Sequence, residues 1–439
     1  MKEKLFSILI VVLAAGSLHA QETTATTGNY KKRVLETSEV DFLMSYYSQD
    51  GDNAAVTGGK GTEDLQDIAP TFIVSVPLND DDVLTVEAGI SAYTSASSSN
   101  INPFDGSKPA NPFQASSGAS SSDVWAHAAG TYSHSSDDRN QTWTGKLSLS
   151  SEFDYFSLGF GGSYTRLFNQ KNTELSLSAN VFRDQWTKLY PYELRPFVAG
   201  GDGINASFFE HYTITGNSNY NPKFDGLDGK NRNSYSAGIV FTQILSKRMQ
   251  AAFLADWVLQ KGLLSTPFQR VYFSDYADSF IEEFHLADDV ERLPDSRQKI
   301  ALGTRLNYYL NEHFTLRGYY RYYTDDWGIN AHTASLEIPF KLNDKFTLYP
   351  SYRYYTQTAA DYFAGYNQHL STEQYYSSDY DLSKFQANQY GFGIRYTDLF
   401  TEKHIWKLKM KSLDLKYHYY ERNSGFKAHL ISFGIGFVL

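Results

Sequence analysis

Apolar and polar residues alternate with a period of two along most of this chain. In the first such run Val40, Phe42 and Met44 share one face, and Glu39 and Asp41 share the other. This period is typical of β-strands, whose successive side chains point to opposite faces. The runs lie at 39–46, 68–76, 84–92, 124–133, 142–151, 155–166, 174–182, 234–243, 249–258, 299–309, 314–323, 329–340, 346–355, 389–397, 412–420 and 430–438. The pattern predicts an all-β fold, a transmembrane up-and-down antiparallel β-barrel of about 16 strands, within a range of 14–18.

The lengths of the polar connections alternate as a membrane barrel requires. Such barrels have short periplasmic turns and longer extracellular loops. The longest polar stretches all fall on odd-numbered connections: 48–65, 94–122, 187–232, 261–296 and 357–384. Short turns at Asn79–Asp82, Asn311–His313 and Asn343–Lys345 fall on even-numbered ones. We therefore expect residues 39–439 to form one barrel, with its long loops on the extracellular side.

The first twenty residues predict export. Lys2 and Lys4 precede the apolar run from Leu5 to Ala15, and the small residue Ala20 precedes Gln21. This is the three-part pattern of a signal peptide, and its apolar run is too short for a membrane-spanning helix. The alternative is a buried N-terminal helix. We interpret 1–20 as a signal peptide and 21–38 as a flexible periplasmic lead.

Composition narrows the class of protein and its partners. The 34 Tyr and 30 Phe residues fit the aromatic girdles that barrels place at both membrane interfaces. The chain has no Cys, which excludes disulfides, thiol catalysis and a lipidated N-terminal Cys. The net charge of -10 argues against a nucleic-acid partner and fits contact with lipopolysaccharide through divalent cations. The expected location is the outer membrane of a Gram-negative cell.

The C-terminal strand carries the most specific pattern in the chain. Phe437 and Leu439 end an apolar face, whereas Ser432 and Gly434 lie on the alternate face. This arrangement resembles the C-terminal signal by which the barrel assembly machinery recognises its clients. We therefore predict that machinery as a partner.

Several separate stretches together resemble one known family. They are SSEFDY at 150–155, FNQKNTEL at 168–175, LSTPFQRVYF at 264–273, ERLPD at 291–295, YYRYYTDDW at 319–327 and SDYDLS at 378–383. The chain is similar to Bacteroidota outer-membrane proteins of the family of domain of unknown function number 3570. The resemblance implies an outer-membrane barrel, and it carries over no activity, substrate or catalytic residue.

The predicted lumen wall is the first candidate site. In the later strands the faces opposite apolar residues such as Leu302 and Tyr352 carry a basic stripe of Arg305, Arg317, Arg321, Arg353, Arg395 and Lys416. Early strands carry an acidic wall of Glu39, Asp41 and Glu87. In one interpretation the two walls create a transverse field in a water-filled pore. In the other, the basic residues pair with Glu337, Asp414 and tyrosine hydroxyls and simply fill the lumen.

The loop at 274–296 is strongly acidic. Clustered carboxylates can bind a hard cation, so Asp275, Asp278, Asp288 and Asp289 are candidate ligands for Ca²⁺. Their spacing matches no EF-hand, and the alternative is a solvated acidic loop.

Three functional hypotheses remain. The first is a porin-like channel or passive transporter for small solutes, with anions as one candidate class. The second is a closed-lumen barrel that acts as a surface receptor or as a structural partner of a periplasmic complex. The third is an outer-membrane enzyme, which would need a Ser–His pair on the outer wall; Ser424 and His429 are the candidates. Since no GxSxG or HExxH motif occurs, we expect no enzyme.

Overall fold

The computed structural model describes residues 32–94 and 122–439, and it contains a closed barrel of 16 antiparallel strands. The strands are β1 Glu39–Asp50, β2 Leu65–Pro77, β3 Asp82–Thr94, β4 Ser122–Ser135, β5 Gln141–Ser151, β6 Tyr155–Phe168, β7 Thr173–Trp186, β8 Asn231–Ser246, β9 Met249–Gly262, β10 Ser296–Tyr309, β11 Thr315–Asp325, β12 Asn330–Glu337 with Phe340–Lys341, β13 Phe346–Leu348 with Ser351–Gln357, β14 Phe385–Thr397, β15 Leu408–Arg422 and β16 Lys427–Val438. Each strand pairs with the next, and β1 pairs with β16, so the sheet has no free edge. The predicted fold is confirmed.

Prolines interrupt two neighbouring strands. Pro339 divides β12 and Pro350 divides β13, and each lies at a break in the ladder. Proline has no N–H to donate, so it removes a hydrogen bond from the ladder at its position. Pairing continues across the gap because Ile338 donates its N–H to the carbonyl of Pro350 at 3.0 Å.

Three of the short turns share one motif, an Asn whose side chain accepts hydrogen bonds from the backbone of the turn. The side-chain oxygen of Asn79 accepts hydrogen bonds from the backbone N–H groups of Asp81 and Asp82 at 2.8 and 2.9 Å. Asn311 and Asn343 accept two backbone N–H groups in the same way in their own turns. Such Asx turns reverse the chain within a few residues. These turns lie at the end of the barrel opposite the long loops, as the sequence predicted.

The outer face of the barrel is apolar. Residues that face away from the lumen include many large exposed side chains, among them Leu147, Phe160, Ile239, Phe253, Leu302, Phe392 and Leu415. A soluble protein rarely exposes so much contiguous apolar surface. A closed barrel with an apolar exterior satisfies its backbone internally and is one of the few folds that can cross a bilayer. The protein is an outer-membrane barrel, with its short turns on the periplasmic side.

Only the end of the predicted N-terminal lead, residues 32–38, lies within the described residues. The predicted signal peptide at 1–20 and residues 21–31 of the predicted lead lie outside the described residues. Residues 32–38 contact the first periplasmic turn: Val34 donates its N–H to the carbonyl of Asp80 at 3.0 Å, and Arg33 pairs with the Asp80 carboxylate at 2.8 Å. No helix among residues 32–94 and 122–439 is long and apolar enough to span a membrane.

Four extracellular loops form a folded cap, defined here as residues 51–64, 187–230, 263–295 and 358–384. The cap contains the short strands Ile214–Gly216, Arg270–Val271, Ser279–Ile281, Phe284–His285 and Asp289–Val290, and the 3-10 turns Ala55–Thr57, Tyr192–Phe197, Gly203–Asn205, Phe209–His211 and Tyr380–Leu382. A buried cluster joins Leu194, Leu263, Tyr272 and Val290 from two of its loops. Much of the buried apolar core of the described chain therefore lies in the cap.

Candidate functional site in the lumen and its cap

The register of the strands places the predicted basic stripe on the lumen face. Residues directly opposite each other in an antiparallel pair point to the same side. Arg321 lies opposite Gly303 and Thr333, whereas the adjacent Tyr320 lies on the exposed outer face. The same parity places these residues inward: Arg305, Arg317, Arg353, Arg395 and Lys416.

Half of this stripe is neutralised by carboxylates on neighbouring strands. Arg317 pairs with Glu337 at 2.8 Å, and Arg395 pairs with Asp414 at 2.6 Å. Arg321 lies 3.6 Å from Asp256, two strands away, with Gly303 on the strand between them. Asp256 was not among the predicted lumen residues, although its alternation with the outward Ala255 and Trp257 in β9 identifies it as an inward residue.

The other three basic residues have no carboxylate within ion-pair distance among the described residues. The guanidinium of Arg305 lies 5.6 Å from the ring centre of Tyr319, and the ammonium of Lys416 lies 5.6 Å from that of Tyr349. Arg353 is exposed on β13. Cation–π contact with a tyrosine does not cancel a full positive charge. These three residues, named here the basic arc, leave net positive charge on this side of the lumen.

The predicted acidic wall also faces the lumen, on the early strands. The Nζ atom of Lys411 in β15 forms an ion pair with the carboxylate of Glu39 at 2.8 Å. This pair joins the acidic wall to the C-terminal strands. Asp41 lies opposite Gly436 and Ile73, and Glu87 contacts the Nε2 atom of His127 at 3.1 Å. The two walls therefore occupy different arcs of one lumen.

The cap enters the extracellular mouth of the barrel. The inward residue Ala331 of β12 belongs to a buried cluster with Leu293, Ala360 and Leu382 of the cap. Trp327 also belongs to this cluster, and the guanidinium of Arg297 lies 4.2 Å from the centre of its ring. Inward positions near the mouth are thus covered by loops, whereas charged positions deeper in the barrel stay exposed.

A fully buried ion pair joins the loops of the cap. Arg270 donates from Nε to Glu193 at 2.6 Å, and both side chains are 0% exposed. Its Nη1 atom donates to the carbonyl of Val56 at 3.2 Å. One guanidinium therefore connects loops 51–64, 187–230 and 263–295. No periodic signal in the sequence identifies such a pair, since its partners are far apart along the chain.

Buried carboxyl groups also lie between the cap loops. Burial, reinforced by nearby Asp379, raises the pKa of Glu291 to about 8, although its side chain accepts hydrogen bonds from Ser377 Oγ and from the backbone of Thr266. Burial also raises the pKa of Asp288 to about 7 and, with the charge of Asp381, that of Asp379 to about 6. Burial therefore shifts all three carboxyl groups toward their neutral forms in the folded cap.

The four predicted Ca²⁺ ligands each contact a different partner in the cap. Asp275 accepts from the backbone N–H and hydroxyl of Ser371, and Asp289 pairs with Arg292 at 2.8 Å. Asp288 accepts from the N–H of Phe273 at 2.9 Å, and Asp278 lies 3.5 Å from His285. Within 32–94 and 122–439, no three His, Cys, Asp or Glu side chains gather as a metal site would require.

The predicted assembly residues lie on the closing strand. Ser432 and Gly434 face inward on β16, opposite Ser45 and Leu43 of β1. Phe437 lies on the lipid side, opposite Val40 and Met410. Leu439 donates its N–H to the carbonyl of Ser38 at 3.0 Å.

The candidate enzyme residue His429 has another partner. Its Nδ1 atom lies 2.8 Å from the hydroxyl of Tyr417 on the outer face of the barrel. The carbonyl of Ser424 accepts from Asn53 in the cap at 3.3 Å.

Comparison with known proteins finds barrels of similar extent. A bacterial polysaccharide outer membrane secretin aligns with a TM-score of 0.46 and 10% identity over 92% of this chain and 98% of its own. A BenF-like porin from Pseudomonas fluorescens Pf-5 aligns with a TM-score of 0.39 and 9% identity, over 92% and 100%. A Pseudomonas aeruginosa FadL homologue gives 0.39 and 10%, over 92% and 90%.

The family of this chain follows from a match over nearly its whole length. No curated protein matches the chain. One family model matches residues 8–430, nearly the whole length. The chain therefore belongs to the family described as "Protein of unknown function (DUF3570)".

Proposed function

We propose that this barrel is a channel with a water-filled lumen, and that the cap restricts its extracellular mouth. The observation that carries the proposal is the exposure of charged side chains on the inner wall. Arg317 and Arg395 are 50% and 45% exposed, although both face the lumen. A charged group is stable away from solvent only if it is paired and hydrogen-bonded. Exposed inward charges therefore favour a hydrated lumen over a packed one.

The basic arc favours small anions as the solute class. Arg305, Arg353 and Lys416 keep a positive charge that no described carboxylate neutralises, whereas Arg317, Arg321 and Arg395 are paired. Charges further away than the Debye length, about 10 Å at ordinary salt, contribute little to the local field. The wall next to the solute sets selectivity, so the overall charge of -10 does not exclude anion preference.

The cap provides a gate in this proposal. Its loops bury Ala331 at the mouth and are joined to one another by the Arg270–Glu193 pair. A solute enters from outside only where the loops leave a passage or separate. Loosening the cap should therefore increase conductance or the fraction of time spent open.

A second candidate function rests on the same cap. A folded extracellular surface with its own core is also suited to a receptor, in which a closed lumen would serve only as a scaffold. Structural partnership with a periplasmic complex belongs to the same alternative. The two candidates differ in whether ions cross the barrel.

Conductance in planar bilayers separates these candidates. We expect current through the wild-type protein and larger or more frequent openings in Arg270→Ala, because that variant leaves Glu193 buried without its partner. The matched control is the double variant Glu193→Leu with Arg270→Met, which replaces the pair by apolar side chains and should behave like wild type. Absence of current from both wild type and Arg270→Ala would overturn the channel and favour the receptor.

A further inference from the structure

The turn between β14 and β15 exposes an unusual group of apolar side chains. This segment, residues 398–407, is named here the periplasmic hairpin. Trp406 is 86% exposed, Phe400 77%, Ile405 64% and Leu399 56%. Trp406 and Phe400 are the most exposed large apolar side chains of the described chain. They lie at the periplasmic end, away from the cap and the lumen wall.

The hairpin has a defined shape. His404–Ile405 pairs with Leu408 and Lys409, and Met410 donates its N–H to the carbonyl of Lys403 at 2.7 Å. The buried side chain of Asp398 accepts from the N–H of Lys403 at 3.0 Å. The backbone N–H of Asp398 bonds to the carbonyl of Lys411 at 3.0 Å. The apolar side chains are therefore held outward by an ordered backbone.

The strand register orients one face of the hairpin toward lipid. Met410 lies opposite Phe437, which is on the lipid side of β16. Leu408, two residues before Met410, shares that side, and Ile405 lies opposite Leu408. The apolar face of the hairpin thus continues the lipid-facing surface of the barrel.

Neighbouring turns extend the same surface. The ring of Phe346 packs 5.2 Å from that of Tyr396, directly before the hairpin, and the N–H of Thr397 bonds to the carbonyl of Lys345. Leu342 in this adjacent turn is also exposed. The hairpin therefore belongs to a broader apolar rim.

Basic residues lie beside the aromatic ones. Lys403 is exposed, and its ammonium lies 4.8 Å from the ring centre of Tyr396. Lys407 is exposed next to Trp406, and Glu402 is the one exposed acidic residue within 399–407. Tryptophan, tyrosine and lysine are the side chains that favour the membrane–water interface, with the ring near the acyl chains and the ammonium among the phosphates.

We infer that the periplasmic hairpin is a lipid-binding element that lies in the headgroup region of the periplasmic leaflet. Its ligand class is glycerophospholipid, with anionic headgroups preferred. Ile405 and Trp406 contact acyl chains near the interface, and Lys403 and Lys407 lie near the phosphates. The proposal concerns the barrel in its membrane and does not depend on whether the lumen conducts.

Quenching by brominated lipids tests this placement in vesicles of the purified full chain. The protein has six Trp residues, so the Trp406 signal is the difference between wild type and Trp406→Phe. We expect stronger quenching of Trp406 by phosphatidylcholine brominated close to the headgroup than by lipid brominated near the acyl terminus. Trp143→Phe provides a lipid-facing reference, and Trp327→Phe a buried one in the turn between β11 and β12. Trp406 emission unaffected by either lipid, but accessible to aqueous quencher, would overturn the inference and leave a periplasmic protein as the occupant of this surface.

Headgroup preference has its own measurement. Brominated phosphatidylglycerol in a phosphatidylcholine background should quench Trp406 more than brominated phosphatidylcholine in the reverse mixture. Lys403→Gln with Lys407→Gln should reduce this preference roughly twofold or more, because each lysine near an anionic surface contributes to attraction. Lys247→Gln, in another periplasmic turn, should leave the preference unchanged. Equal quenching by both lipids in the wild type would contradict the anionic preference.

Discussion

Arg270 and Glu193 form an ion pair 2.6 Å long in which neither side chain is exposed to solvent. The two residues come from different extracellular loops, so the pair fixes one loop against the other. The pair is costly to bury and still more costly to break, because a lone buried charge has no compensation. The cap should therefore behave as a cooperative unit.

Breaking this pair should loosen the cap and leave the barrel intact. Arg270→Ala should destabilise the cap by about 3–5 kcal/mol, the usual cost of removing one partner of a buried pair. The expected result is rapid chymotrypsin cleavage within 187–230 and 263–295, with an unchanged heat-modifiable barrel on gels. The double variant Glu193→Leu with Arg270→Met should resist cleavage as wild type does. Equal protease resistance of Arg270→Ala would contradict the structural role of the pair.

The cap should weaken as pH rises. Burial raises the pKa of Glu291 from 4.5 to about 8 in the folded cap. Between these two values the folded cap holds a proton that the opened cap releases, so stability falls with increasing pH by up to ~1.4 kcal/mol per unit. The stabilisation is complete below about pH 4.5 and is lost as pH passes 8.

Limited proteolysis between pH 5 and pH 9 measures this effect. Wild type should become more susceptible in the loops toward pH 9, with Asp288 adding to the trend because burial raises its pKa to about 7. Glu291→Gln keeps a neutral side chain at all pH values and should flatten the profile. A Glu291→Gln profile as steep as the wild-type one would show that another group controls the cap.

Assembly of the barrel should depend on the lipid side of β16. Phe437→Asp places a charge on that side, where barrel substitutions cost up to roughly 2–4 kcal/mol according to depth. We expect a sharp loss of heat-modifiable protein in the outer membrane. Val438→Asp is the matched control, since Val438 faces the lumen opposite Glu39. Equal levels of both variants would refute the assignment of Phe437 to the lipid side and its role in assembly.

Surface labelling should confirm the orientation of the barrel. Asp202 and Asn219 are exposed in the cap, and Asp344 and Lys247 are exposed in short turns. Cysteines introduced at the first two positions should react with an impermeant thiol reagent on whole cells, and those at the last two should react only after lysis. The chain has no native Cys, so the background is low. Labelling at Asp344 on intact cells would invert the assignment of the two ends.

The barrel could be predicted from sequence because its determinants are local. The two-residue period of a strand determines which face of the barrel wall each side chain lies on. Asx turns such as that of Asn79 determine where the chain reverses. Strand boundaries differ where loops continue the ladder, as in β8, which begins at Asn231 instead of 234. The same two-residue period predicted that Arg321 and Arg353 both lie on the lumen face.

The partners of those residues and the cap could not be predicted in the same way. Alternation predicts which face of the barrel wall a side chain lies on, and it does not predict the depth of the residue along the barrel axis. The sequence therefore left open whether Arg317 pairs with Glu337 or contacts solvent. The cap is held by contacts between distant loops, such as Arg270 with Glu193 and Tyr376 with Asp289. Asp275, Asp288 and Asp289 have separate partners there, and a count of carboxylates along the chain does not identify those partners.

The reversal potential under a salt gradient tests most directly whether the lumen is hydrated and whether the basic arc sets its selectivity. The wild-type channel should favour anions, and Arg305→Gln with Arg353→Gln should shift the reversal potential toward that of cations. The control, Arg317→Gln with Glu337→Gln, removes one neutral pair and should leave the potential nearly unchanged. A wild-type barrel that carries no current would contradict a hydrated lumen, and a basic-arc variant whose potential matches the wild-type value would contradict selectivity set by the arc.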